Sequence, residues 1–270
     1  MFTEVTEATK ETFRIIYHQT TAYSNPIIET VLYQNNRGRM YFYGDLLDGN
    51  YLIFHRSGFA HINLDDFAGN TPVFFQELDG FIEDNPDVPD YLMFYHTPER
   101  LLDYWKAQDK KSFKVRRRRR YQIDRDQFMK LDPSCYAAPP SHRLLALQQC
   151  DYSDLALFNL SLDSRFYDSK EEFLKNSFGF VLYNEGGQPV SMSYLICLVG
   201  RNSECDLKTL PAFRNRGYGY VTITSYVRES LERGINAGWD CFTENHTNKW
   251  IQQYGYTHIV REYDFVTFAK

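Results

Sequence analysis

Residues 207–234 read LKTLPAFRNRGYGYVTITSYVRESLERG, and this stretch decides the fold. A strand-like segment runs into Pro211, and two arginines and two glycines follow within 214–219. A helical pattern then begins at about Gly217 and is ended by Gly234. Because a helix N-terminus carries unpaired N–H groups and a partial positive charge, it is suited to an anion. Glycines allow close approach, so we predict a pyrophosphate site here.

Three classes of ligand use a site of this kind, and two of them require motifs that are missing. A Walker loop requires GxxxxGK[ST], and no Lys-Ser or Lys-Thr pair follows Gly219. A dinucleotide-binding fingerprint requires GxGxxG in a βαβ unit, but Thr222 stands at the third glycine position. Coenzyme A is the class that remains.

The residues RNRGYG, 214–219, resemble the [QR]-x-x-G-x-[GA] signature of the GNAT N-acetyltransferase superfamily. The surrounding order is similar to that family as well. A hairpin (178–200) and the strand ECDLKTL (204–210) precede the helix, and the short strand WDCFTE (239–244), a helix led by Asn245 and a final strand follow it. The resemblance covers about 141–270 and looks like a bacterial branch with a divergent domain ahead of the transferase domain.

We predict two domains separated by a linker. Residues 131–142, LDPSCYAAPPSH, hold three prolines and small residues, which is typical of a linker. A divergent N-terminal α/β domain is predicted over 1–131, and a GNAT-like acetyl-CoA-binding transferase domain over 141–270. The fold class is α/β (α+β), with a mixed, mostly antiparallel sheet flanked by helices. Similar length and strand order favour a first domain that is a degenerate copy of the second. Residues 77–90 are predicted as an acidic surface loop, and 142–150 as a helical or loop-helix piece.

The resemblance implies a set of cofactor-binding residues for acetyl-CoA. Backbone amides of Arg216–Tyr220 would bind the pyrophosphate, and the Thr209 backbone would pair with the pantetheine arm. The thioester would lie where strand 239–242 splays away from strand 204–210. The full predicted set is Thr209, Arg214, Asn215, Arg216, Gly217, Tyr218, Gly219, Tyr220 and Asn245.

The implied reaction is attack of a substrate amine on the thioester, which requires a base. Glu204, Asp206 and Glu244 are the candidate catalytic carboxylates, and the sequence does not choose among them. Many GNAT enzymes carry a tyrosine about seven residues after the helix asparagine, but Gln252 stands there and the nearby tyrosines are displaced. The predicted function is therefore an acetyl-CoA-dependent N-acyltransferase acting on a small-molecule amine. A catalytically weak or inactive CoA-binding protein is the alternative.

The charge of the chain indicates whether nucleic acid is a partner. A formal net charge of −5 argues against nucleic acid as the main partner. The run Arg116–Arg120 is predicted as a solvated or ion-paired strand, with an RNA or anion site as the alternative.

The five cysteines form no CxxC pair and the histidines show no ligand spacing, so no metal site is predicted. No signal peptide or membrane span is expected, which predicts a cytoplasmic protein, and a homodimer is left open.

Overall fold

The computed structural model describes residues 1–21, 25–34, 37–64, 71–108, 113–159, 166–256 and 258–270. The strands are β1 (Phe2–Glu4), β2 (Gly38–Tyr43), β3 (Tyr51–His55), β4 (Phe59–Asn63), β5 (Tyr91–Tyr95), β6 (Phe113–Gln122), β7 (Arg143–Ala146), β8 (Gly179–Tyr183), β9 (Pro189–Val199), β10 (Asn202–Thr209), β11 (Asn236–Phe242) and β12 (His258–Ala269). The helices are α1 (Lys10–Thr20), α2 (Pro26–Gln34), α3 (Thr71–Asp84), α4 (Glu99–Ala107), α5 (Arg125–Phe128), α6 (Tyr152–Ala156), α7 (Lys170–Asn176), α8 (Tyr218–Glu232) and α9 (Thr247–Ile251). Among these described helices, none is long and apolar enough to cross a bilayer.

The chain divides into two compact units. The first is Met1–Arg118 together with Glu262–Lys270, and the second is Arg119–Arg261. The division therefore falls inside β6, not at the linker predicted within 131–142. That segment belongs to the second unit, where Tyr136 is buried while Asp132, Pro133, Ser134 and Ala137 around it are exposed.

Tyr136 shows how the proline-rich segment is held. Its ring is buried, and the Arg228 guanidinium of α8 lies 4.9 Å from the ring centroid. The turn before it is fixed by the Asp132 carboxylate, which accepts a hydrogen bond from the Ser134 N–H at 2.9 Å. Tyr136 thus anchors this segment on α8.

The first unit has a mixed sheet in the order β1-β2-β3-β4-β5-β12. Neighbouring strands are antiparallel except β4 and β5, which are parallel. The core includes buried Leu78 of α3 and Trp105 of α4, with Phe94 of β5. The Trp105 indole N–H donates to the Asp79 carboxylate at 2.9 Å. The loop predicted over 77–90 is thus largely helical, because its apolar residues supply one buried face of α3.

The second unit has the order β11-β10-β9-β8-β7, with the end of β6 beside β11. Strands β7 to β10 are antiparallel and β10–β11 is parallel. Helix α8 packs on β8 and β9, and its Tyr226 ring stacks on Phe178 with centroids 5.1 Å apart. The segment predicted as helical at 142–150 begins instead with β7, which pairs with β8.

The parallel strands of the second unit separate soon after they pair. The β10–β11 ladder joins Asn202 to Asn236 and Ser203 to Ala237, and over the described residues of both strands it ends there. Strand β10 also carries a register shift between Glu204 and Cys205. The two strands therefore form a fork, as expected from the resemblance.

The first unit repeats this order. An antiparallel run of strands leads to β4, helix α3 follows, and β5 returns parallel to β4. The β4–β5 ladder also has two partner pairs, Phe59 with Met93 and Ala60 with Phe94. The predicted fold class is confirmed: a mixed, mostly antiparallel sheet flanked by helices, with the same strand order in both units.

Candidate functional site

The loop between β10 and α8 is shaped by two residues with left-handed backbone. A short helical turn at Pro211–Phe213 follows β10, then Asn215 has φ 61° and Gly217 has φ 79°. Asparagine and glycine are the residues that adopt this region at least cost. Gly217 occupies the N-cap position of α8, so the chain turns sharply and directs its next N–H groups outward.

The backbone N–H groups of Asn215–Gly219 are open. Over the described part of the chain, none of them donates to a protein acceptor. On either side the amides are occupied, since the Arg214 N–H donates to the Pro211 carbonyl at 3.4 Å and the Tyr220 N–H to the Gly217 carbonyl at 3.0 Å. A run of open amides at a helix N-terminus is the arrangement that binds phosphate groups.

Of these five residues, Asn215, Gly217, Tyr218 and Gly219 line a cavity of about 890 Å³. Its walls come from the end of α6, the end of β10, the loop and the turn before α9. The lining residues are Leu157, Phe158, Asn159, Leu207, Lys208, Thr209, Leu210, Pro211, Phe213, Arg214, Asn215, Gly217, Tyr218, Gly219, Tyr220, Asn245, His246 and Thr247. The residues that follow α6, 157–159, were not predicted from the sequence to line a cavity. Among them, Asn159 has a left-handed backbone, with φ 50°.

The structure brings together the predicted cofactor-binding residues with one exception. Thr209 and Asn245 line the cavity along with the loop, but Arg216 does not. The Arg216 guanidinium instead lies 5.6 Å from the centroid of the Phe213 ring. Gly219 faces the end of β10, where an added Cβ would lie 3.4 Å from Thr209 Oγ1. The missing side chain keeps this part of the cavity open.

Asn245 caps the start of α9, and a second asparagine holds it in place. Asn245 Oδ1 accepts from the Thr247 N–H at 3.0 Å. Asn248 Nδ2 donates to the carbonyls of Phe242 and Asn245 at 2.8 and 3.0 Å, and its Oδ1 accepts from the Tyr121 hydroxyl at 2.6 Å. Asn248 and Tyr121 were missed by sequence reasoning. The repeated N-x-x-N spacing at 245–248 is the available signal.

The three candidate carboxylates lie outside the cavity lining, in different surroundings. Glu204 is buried and forms an ion pair with Arg120 of β6. Glu244 is exposed. Asp206 lies opposite Tyr194 of β9, whose hydroxyl donates to Asp206 Oδ2 at 3.1 Å.

The phenol beside Asp206 is a hydrogen-bond donor over the whole useful pH range. Burial, followed by the negative charge of Asp206, raises the pKa of Tyr194 well above its ordinary value. Asp206 itself is 36% exposed at the side chain, with Lys208 Nζ 3.7 Å from its Oδ2 atom. Asp206 is thus partly accessible, whereas Glu204 on the same strand is buried and Glu244 is exposed.

The tyrosines expected near the leaving thiolate are not placed as in the family pattern. Gln252 is exposed. Tyr256 is buried in the core, with its ring centroid 6.3 Å from that of Trp239, and burial raises the pKa of its phenol well above the ordinary value. The Tyr254 side chain lies outside the described residues. Tyr218 and Tyr220 are phenols that do line the cavity.

The arginine run is engaged with protein groups in several places. Arg117 Nε lies 3.6 Å from a Glu262 carboxylate oxygen, and the Arg118 guanidinium lies 4.8 Å from the Phe265 ring centroid. Arg119 and Arg120 belong to the second unit, where Arg119 Nη1 donates to the Tyr121 hydroxyl at 3.3 Å and Arg120 pairs with Glu204. These contacts agree with an ion-paired strand.

Residues 89–266, more than half of the 270, match the family model described as GNAT acetyltransferase. The chain belongs to the GNAT acetyltransferase family. The match begins upstream of residue 141, so the GNAT pattern also takes in β5, α4 and β6. A comparison with curated proteins gave no match.

Solved GNAT structures share the fold along the whole chain. A GCN5-related N-acetyltransferase-like protein from Streptococcus suis has a TM-score of 0.71 at 17% identity, covering 96% of this chain and 98% of its own. A GCN5-related N-acetyltransferase from Sphaerobacter thermophilus has a TM-score of 0.64 at 12% identity, covering 100% and 95%. A tandem GNAT protein from the clavulanic acid biosynthesis pathway has a TM-score of 0.62 at 10% identity, covering 100% and 98%. At these identities the likeness concerns the fold.

Proposed function

We propose that this GNAT protein is an acetyl-CoA-dependent N-acyltransferase that acts on the amine of a small molecule. The observation that carries the proposal is the run of open amides at Asn215–Gly219, set at the mouth of a large cavity beside the β10–β11 fork. These residues suit coenzyme A because the amides match a diphosphate and a cavity of about 890 Å³ is large enough for an attached arm.

Several groups of the chain would hold the cofactor. The amides of Asn215–Gly219 would accept the diphosphate oxygens, with Arg214 adding positive charge. The end of β10 at Thr209 would border the pantetheine arm as it runs toward the fork. Acetyl-CoA, once bound, supplies the acyl group as a thioester. Backbone N–H groups of the diverging strands would face the developing oxyanion.

We favour Asp206 as the carboxylate that takes the amine proton. A general base must be reachable by the amine, directly or through one water. Asp206 is partly exposed and oriented by Tyr194, whereas Glu204 is buried against Arg120. Glu244 is exposed. The partly enclosed setting of Asp206 also favours a small acceptor over the surface of a folded protein.

A CoA-binding protein with little transfer activity is the second candidate. It is favoured by the exposed Gln252 at the position where the family pattern has tyrosine, and by the deep burial of Tyr256. In this case the cavity would bind the cofactor, but no group would protonate the leaving thiolate quickly.

The test separates binding from transfer. Isothermal titration with acetyl-CoA should give one site per chain, and a panel of small amines should then release free CoA thiol above the rate without amine. Binding without thiol release from any amine would favour the second candidate. Failure of saturating acetyl-CoA to bind would contradict both.

A further inference from the structure

We propose that Arg120 is a positioning residue of this site, whose guanidinium fixes the fork between β10 and β11. The structural part of the proposal stands on contacts within the second unit. Its catalytic consequence rests on the proposed acyltransferase function. It also gives a role to one member of the arginine run, which the sequence predicts as a solvated or ion-paired strand.

One cation contacts both branches of the fork. Arg120 Nη1 pairs with the Glu204 carboxylate of β10 and lies 3.7 Å from Asp240 Oδ2 of β11. Glu204 directly follows Ser203, the last β10 residue of the parallel ladder, and Asp240 lies three residues beyond its partner Ala237. The guanidinium therefore spans the two strands just where their own hydrogen bonding ends.

A glycine makes room for this side chain. Gly238 lies on β11 between the last rung and Asp240, and a Cβ added there would be 2.7 Å from Arg120 Nη2 and 3.1 Å from the Ser203 carbonyl oxygen. A side chain at 238 would displace the guanidinium. Arg120 therefore crosses β11 at Gly238, the glycine of that strand, to reach β10.

The charged groups that meet at the fork are largely buried. The side chains of Arg120, Glu204 and Asp240 are 15%, 7% and 4% exposed. Two carboxylates so far from water repel each other, and the Arg120 guanidinium offsets this repulsion. On the other face of these strands Cys205 and Trp239 pack in the core with α8. The fork is therefore held by apolar packing on one side and by a cation on the other.

The test compares Arg120→Ala, Arg120→Lys and Gly238→Ala with the control Arg117→Ala. Arg117 lies on the same strand but is 62% exposed. With the most reactive amine, Arg120→Ala should lower kcat about 100-fold, since an error of about 1 Å in placement costs this much. Gly238→Ala keeps every charge and should reproduce part of the loss, Arg120→Lys should restore part of the activity, and Arg117→Ala should stay within about twofold of the parent.

Hydrogen exchange gives a readout that does not depend on catalysis. Arg120→Ala and Gly238→Ala should speed exchange over 204–209 and 238–242, while Arg117→Ala should not. If the parent chain fails to bind acetyl-CoA, the proposed function fails and this exchange result alone decides the role of Arg120. A lower Tm for Arg120→Ala with unchanged kcat, KM and exchange over these segments, measured where the variant is folded, would overturn the proposal.

Discussion

Arg214 donates a hydrogen bond from Nε to the carbonyl oxygen of Thr209 over 3.2 Å. A side chain of the signature loop is thereby fixed against the end of β10, at the edge of the cavity. Arg214 directly precedes the open amides of Asn215–Gly219 in the chain. Because a guanidinium has five donors, Arg214 can hold the strand end and still meet a phosphate oxygen.

Arg214→Ala should weaken the binding of CoA but leave the binding of pantetheine unchanged, because pantetheine lacks the diphosphate. We expect a loss of about tenfold in CoA affinity, the size of one hydrogen bond to a charged group. Titration calorimetry at low and high salt measures it, and salt should reduce the difference. Arg216→Ala is the matched control, since its guanidinium lies on Phe213 outside the cavity lining. An equal loss for pantetheine would show that Arg214 acts through the fold and not through the phosphates.

Substitution of the two loop glycines should have different effects: Gly217→Ala should lower stability, whereas Gly219→Ala should weaken ligand binding. Gly217→Ala places a side chain at φ 79° and should lower the free energy of unfolding by about 1 to 2 kcal/mol. In Gly219→Ala the new Cβ meets only ordinary contacts, the nearest at 3.4 Å from Thr209 Oγ1. This variant should keep its Tm but bind acetyl-CoA more weakly. Thermal melts with and without acetyl-CoA measure both effects, and unchanged ligand stabilisation in Gly219→Ala would contradict the placement of the cofactor.

Asp206→Asn should remove the proposed base. We expect kcat to fall by about 100-fold or more, with little change in acetyl-CoA affinity, because general-base catalysis contributes factors of this size. Tyr194→Phe should cost less than about tenfold, since it removes one hydrogen bond to the carboxylate. Steady-state kinetics compare them with Glu244→Gln, at an exposed carboxylate. A larger loss in Glu244→Gln than in Asp206→Asn would reverse the assignment.

His55 should make the first unit sensitive to acid. Its burial, followed by the nearby charges of Arg56 and Arg37, lowers its pKa from 6.5 to about 3. As pH falls from about 6.5 toward 3, His55 takes up a proton in the unfolded chain but stays neutral in the folded chain. Stability should therefore drop by about 1.4 kcal/mol per pH unit across this window. Urea unfolding at several pH values should show a shallower slope for His55→Asn, and identical slopes would contradict the prediction.

Strands and helices with local signals were predicted well from the sequence. The turn residues between 178 and 200 gave the β8–β9 hairpin, and Gly217 and Gly234 bounded α8 within a residue or two. Errors came where tertiary packing decides. Residues 77–84 are acidic but present Leu78 and Ile82 to the core, which makes them helical. Residues 131–142 look like a linker, yet Tyr136 is buried against α8.

The site was predictable where it is built from a local backbone turn, and less so where side chains meet across strands. The helix start, the glycines and the arginines within 214–219 identify the loop of open amides from one short stretch. The role of Glu204 depends on Arg120, 84 residues earlier in the chain, and that of Asn248 on Tyr121, 127 residues earlier. Contacts over such separations leave no periodic pattern in one sequence.

The central claim is that the amides of Asn215–Gly219 receive the diphosphate of acetyl-CoA. Amide chemical shifts of ¹⁵N-labelled protein, recorded with and without acetyl-CoA, test it most directly. The account predicts the largest downfield proton shifts at these amides, reproduced by CoA and absent with pantetheine. Saturable binding that leaves the amides of 215–219 unshifted would contradict it.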